Sequence, residues 1–177
     1  MTQLTLTYQN EDDKAYGLAG MALSAVALNS SDLIAEISIE GDDDGHLVTF
    51  SHSYYFCGSP SISPKATWEN TLRNFQVTSA MTLANLYARS MVRMGTTVPD
   101  ELLETLHQAI VREGCESCSL EEDEAESIYN KMLGYSRRIF GNRRLYPSIS
   151  LFAGAISRRR RLSGREIEEE LQRLQLL

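Results

Sequence analysis

The sequence predicts an α+β fold, with a small antiparallel sheet in a β-α-β-β N-terminal half packed on helices and a mostly helical C-terminal half. Two observations carry this. Short runs of alternating apolar and polar residues precede residue 57, and apolar residues recur at helical spacing, framed by capping residues, after residue 63. At 177 residues, 42% apolar and 23% charged, the chain suits one domain over 1–177 with a proper core. The helices of 98–177 either extend that core or form a helical sub-lobe.

Residues 2–8 alternate, with Leu4, Leu6 and Tyr8 on one side and Gln3, Thr5 and Thr7 on the other, which predicts a half-buried strand. A helix over 15–29 follows, introduced by Glu11, Asp12 and Asp13 and ended by Asn29. It is apolar nearly all round, and Gly17, Gly20, Ala22 and Ala25 let other elements come close. Leu33, Ala35, Ile37 and Ile39 alternate with polar neighbours, as do Val48, Phe50, Tyr54 and Phe56. The turn formers of 41–45 between them predict a β-hairpin.

Ser63 as N-cap and Pro64 at the first position open a long helix to about Met94, closed by Gly95. Its apolar stripe runs through Trp68, Leu72, Phe75, Leu83 and Leu86, with Thr78, Asn85 and Arg89 off it. A helix begins at Pro99 and stops at Gly114. Ser119 and Glu122 form a capping box for the next. Residues 145–156 read as a short helix or a packed loop. Ser163 and Glu166 cap a last helix whose narrow seam is Ile167, Leu171 and Leu174.

Charge is segregated along the chain. Its net charge is −7, yet residues 131–165 hold ten basic residues and no carboxylate, while residues 100–126 hold ten acids against the single Arg112. Coulomb attraction either folds the two stretches together or leaves the basic one for an anionic partner. The candidate binding residues are Arg137, Arg138, Arg143, Arg144, Arg158, Arg159, Arg160 and Arg161. Guanidinium groups bind phosphate bidentately, and Tyr135, Tyr146 and Phe152 among them could stack on bases. Nucleic acid is therefore one reading. The other is neutralisation by the chain's own acids, those of 121–126 or Asp42, Asp43 and Asp44, or by a second copy. Glu168, Glu169 and Glu170 at the start of the last helix suit the arginines of such a copy.

Cys115 and Cys118 form a single C-x-x-C, with His107 on the preceding helix as a third zinc ligand to consider. Glu113, Glu116, Glu121 and Glu122 around the pair oppose thiolate formation and hence redox catalysis. The common catalytic and phosphate-loop motifs do not occur. His46 and His52, roughly 20 Å apart at strand rise, cannot share a metal ion. An enzyme or metal site, if present, lies near His46, His52 and Cys57 or at the cysteine pair.

The first apolar run is too short to cross a bilayer, and three cysteines without an export signal fit a reducing cytoplasm. The sequence thus predicts a cytoplasmic, non-enzymatic interaction or regulatory protein without a cofactor. Its expected partners are a protein or its own second copy, with nucleic acid as the alternative and no membrane.

Overall fold

The computed structural model describes residues 4–41 and 47–176. Helix α1, Glu11–Ala27, lies at its centre. Asn10 accepts the Asp13 N–H at 2.9 Å and three acids occupy the first turn, so the helix starts four residues before the apolar run suggests. Eleven of its 17 residues are buried, which its nearly uniform apolarity requires. It packs between α3, Pro64–Tyr87, and α6, Tyr146–Arg159. Gly20 permits the contact with α3: a Cβ there would sit 2.3 Å from the Ala84 carbonyl oxygen.

A three-stranded antiparallel sheet covers the next flank, in the order β2-β1-β3. The central strand β1, Ile34–Ser38, pairs with β2, Val48–Phe50, and with β3, Arg161–Ser163. The hairpin is present, but the register slips between Ile34 and Glu36. Ala35 is the extra residue of that bulge and points to solvent, so Ile34, not Ala35, shares the core with Ile37 and Ile39. Strand β2 ends at Phe50. His52 and Tyr54 belong to a short helix α2, His52–Tyr55, and Phe56 follows it. His46, Asp42, Asp43 and Asp44 lie outside the described residues.

The β-α-β-β order of the N-terminal half is corrected. Residues 4–8 form no strand, and the third strand comes from the arginine run. The backbone carbonyls of Thr5, Leu6 and Thr7 are taken by the Arg89 guanidinium, not by a neighbouring strand. With no pleat to impose alternation, Leu4 is buried and Leu6 is exposed.

Helix α3 opens at Ser63, as its capping residues dictate, and continues as a π-helical turn, Ala88–Arg93. Helix α4, Asp100–Cys118, does not stop at Gly114. That glycine faces Phe75 of α3 and Ala125 of α5, and a Cβ would lie 2.8 Å from the Phe75 ring. Its role is close approach, and the helix ends at Ser119 in the left-handed region, φ 54°. The capping box of α5, Glu122–Gly141, is accordingly Glu121 with Glu124, not Ser119 with Glu122.

Residues 145–156 are helical in α6, with Pro147 in the first turn. The last helix α7, Gly164–Arg173, has the Ser163–Glu166 capping box, and its seam is buried on the chain's own body. One core joins α1, the sheet, α6 and α7; a second joins α4 and α5 to the other flank of α3.

Candidate functional site

Three charged assemblies and one thiol cluster hold the chemistry-bearing residues. The first is a buried clasp that sequence reasoning did not find. Asp13 of α1 and Arg89 of the π turn are 0% and 1% exposed. The guanidinium meets the carboxylate with two bonds, Nε to Oδ1 at 2.9 Å and Nη2 to Oδ2 at 2.6 Å. It also donates to the carbonyls of Leu6 at 3.3 Å, Thr5 at 2.8 Å and Thr7 at 2.9 Å, and lies 4.8 Å over the Tyr8 ring.

Arg93 adds a bond to Asp13 Oδ1 at 3.1 Å and one to Asp12 at 2.7 Å. Burial alone would raise the Asp13 pKa. The Arg89 bond, the Gln9 N–H and the charges of Arg89 and Arg93 outweigh it and hold Asp13 below its ordinary 3.8. Each nitrogen of Arg89 is engaged, so the clasp ties residues 4–10 to α1 and α3 and offers no vacant anion site. Asp13 and Arg89 are 76 residues apart, and nothing local in the sequence pairs them. The π geometry, a frequent mark of strain or function in helices, here brings Arg89 and Arg93 together over Asp13.

The second assembly is the arginine run, which divides in two. Arg159 pairs with Glu166, Arg160 with Glu11 and Glu40, and Arg161 with Glu40 at 3.1 Å. Arg165 pairs with Glu169 at 2.7 Å. Arg158 makes no direct ion pair among the described residues and acts on Glu170 through space. The partners differ from those the sequence suggests. Glu11 and Glu40, not the acids of 121–126, neutralise this half, because β3 runs beside β1 and the first turn of α1 lies close. Nor are Glu168, Glu169 and Glu170 free for a second copy. They bind the Ser31 hydroxyl, Arg165 and Arg173 of their own chain.

The other half has no carboxylate partner among the described residues. Arg137 donates to the Tyr87 hydroxyl at 3.2 Å, and Arg138 lies 6.0 Å over the Tyr135 ring. Arg143 and Arg144 stand exposed on the turn after α5, Arg143–Leu145. The third assembly mirrors it. Among the described residues, none of the ten acids of 100–126 meets a lysine or arginine; the nearest cationic candidate is His107, 3.9 Å from Glu104 and 3.8 Å from Glu126. Helix α5 therefore begins among unmatched carboxylates and ends among unmatched guanidinium groups. Its 20 residues separate the poles by about 30 Å.

The cysteine pair lies in the last turn of α4, not in a turn between helices, and all three cysteines are free thiols. Burial, then Glu113 and Cys57, push the Cys118 thiol upward in pKa, away from thiolate. His107 is held against Tyr129 and the two glutamates, two turns up the helix. Among the described residues no three His, Cys, Asp or Glu side chains gather as a metal ion requires, so Cys115, Cys118 and His107 are not brought together. His52 stacks on Phe56 at 5.6 Å. No helix of the described residues is long and apolar enough to cross a membrane.

Compared with known protein families and with curated proteins, the chain matches no family model and no individual protein.

Proposed function

We propose that this chain is a non-enzymatic interaction or regulatory protein of the cytoplasm that associates with a second copy of itself. The observation that carries the reading is the pair of unmatched poles on α5. Acids at a helix start and cations at its end stabilise the helix itself, and they leave the monomer with two exposed fields of opposite sign. Two copies laid antiparallel along α5 would set each pole against its opposite in a closed, two-fold arrangement. Exposed charges separated by more than about 10 Å are screened at 0.1 M salt, so such a dimer forms at low ionic strength and loosens as salt is added. Light scattering at ~100 μM protein and ~50 mM salt should give twice the chain mass; the mass of one chain there contradicts the reading.

A second reading rests on the same basic pole. Arg137, Arg138, Arg143 and Arg144 are exposed and meet no carboxylate among the described residues, with Tyr135 beside Arg138. They could track a phosphate backbone, whereas Arg159, Arg160 and Arg161 are already matched by carboxylates. Fluorescence anisotropy with single- and double-stranded oligonucleotides at ~50 and ~200 mM salt tests it. Binding that falls by orders of magnitude between the two supports a nucleic-acid role; no binding at the lower salt removes it.

A further inference from the structure

Two large hydrophobic side chains exposed among the described residues, Leu6 and Tyr55, stand at the two ends of one run of hollows. Between them runs a groove made of three adjoining hollows of about 240, 290 and 280 Å³. The first two share Thr82 and Leu106; the second and third share Phe75, Thr78 and Glu113.

The floor is α3. The positions Thr71, Phe75, Thr78, Thr82 and Asn85 step by four and three, and Arg89 closes the series. The wall is α4, where Leu106, Ile110, Glu113 and Ser117 keep the same rhythm. That spacing follows an axis tilted slightly from the helix, the seam against which another helix packs at about 20°. From Thr71 to Arg89 the seam is about 27 Å long at helical rise.

The donors of the floor are already engaged. The hydroxyls of Thr71, Thr78 and Thr82 donate to carbonyls one turn back, at 2.9, 3.0 and 2.9 Å. Asn85 donates to the Tyr8 hydroxyl at 2.6 Å, and the Arg89 charge is matched by Asp13. An occupant lying over these threonines therefore strands none of their hydroxyl donors. Glu113 is the exception: an exposed carboxylate mid-groove, with no cation partner among the described residues, on a helix that also carries Asp100, Glu101 and Glu116.

We propose that this groove is the docking site for an amphipathic, net-basic helix of a different protein. Its apolar stripe repeats every three to four residues, and a lysine or arginine meets Glu113. The charge of the wall selects the sign of the partner, and the matched rhythms of α3 and α4 select a helix over an extended strand. A second copy of this chain does not supply it, because the apolar seam of α7 is buried in its own body and α5 is packed in the core through Tyr129, Met132 and Phe140. The site is separate from the poles of α5 and does not depend on self-association.

The probe is a labelled 20-residue peptide of leucine, lysine and alanine with leucines at three- and four-residue steps, compared with a version bearing glutamate for lysine. In anisotropy titrations at ~150 mM salt the basic peptide should bind at least tenfold tighter than the acidic one. Thr78→Trp, which fills the groove, should weaken it at least tenfold; Glu113→Lys should weaken it and improve the acidic peptide. Glu122→Lys, outside the groove, should change affinity less than twofold. The Arg137→Glu, Arg138→Glu double variant should bind as the parent does, so a failure of self-association leaves this result intact. Unchanged binding by Thr78→Trp overturns the proposal, as does an equal loss in Glu122→Lys and Glu113→Lys. Should Thr78→Trp fail to fold, the parent protein decides: bound peptide should slow iodoacetamide labelling of Cys57 and Cys118, which line the groove end, and not of Cys115. Equal rates with and without peptide overturn it.

Discussion

Arg89 and the arginines after α5 are the same residue type put to opposite uses. Arg89 is 1% exposed, engaged by a carboxylate and three carbonyls, and spends its charge inside the chain. Arg143 and Arg144 are exposed, meet no carboxylate among the described residues, and keep their charge for whatever approaches. The arginine run around residue 160 lies between these extremes: matched by acids, yet at the surface, where an ion pair is worth little. Charge density in a sequence therefore does not locate function. What separates the three is whether the fold brings a carboxylate within reach and whether it removes water.

The comparison can be broken most severely at Arg89. Arg89→Met leaves the buried Asp13 carboxylate with only Arg93 and the Gln9 N–H, and should cost about 3 kcal/mol in urea unfolding, the low end for a broken buried pair. The Arg89→Met, Asp13→Leu double variant should recover part of that loss, because no stranded charge remains. A single variant as stable as the parent would show the clasp to be incidental. Next in size is Gly20→Ala, which forces the α1–α3 contact apart against the Ala84 carbonyl and should cost about 1–3 kcal/mol.

A smaller effect is set by acid. The folded chain holds Asp13 below its ordinary 3.8, so its contribution is complete above that value and fades as pH falls through the lowered pKa. Thermal midpoints by circular dichroism should drop more steeply from pH 4 downward in the parent than in Asp13→Asn. Parallel curves would mean that folding does not lower the Asp13 pKa. The smallest effect is expected at the run: Arg160→Ala with Arg161→Ala should leave the midpoint where it is at moderate salt. A clear loss would make those ion pairs structural and weaken the contrast with Arg89.

The local signals in the sequence were legible where the physics is local. Ser63 with Pro64, the Ser163–Glu166 box and the uniform apolarity of α1 each act within a turn or two of themselves, and each predicted element is present. Alternation misled at residues 4–8, because the partner of that backbone is a side chain 84 residues away from Thr5. Strand β3 was hidden beneath its own arginines; only the buried Leu162, facing Ile37, marks it as part of the sheet. Gly114 looked like a stop because a glycine that admits Phe75 cannot be told from a breaker without the neighbour. The charge segregation was visible in full, but which half of the basic stretch is spent internally depends on β3 lying beside β1. The second stripe of α3 was legible as spacing, though its threonines and asparagine disguised it as a solvated face.

The central claim, that the two poles of α5 drive self-association, is tested most directly by a charge exchange. One variant carries Arg137→Glu, Arg138→Glu and Arg143→Glu, the other Glu122→Lys, Asp123→Lys and Glu126→Lys, and sedimentation velocity is run on each alone and on their equimolar mixture at ~50 mM salt. Antiparallel pairing through α5 predicts that each variant sediments as a single chain, since its two α5 poles then carry like charge. The mixture should sediment as a dimer, because a net-acidic α5 faces a net-basic one. A mixture that stays monomeric, or variants that dimerise as well as the parent, would contradict it.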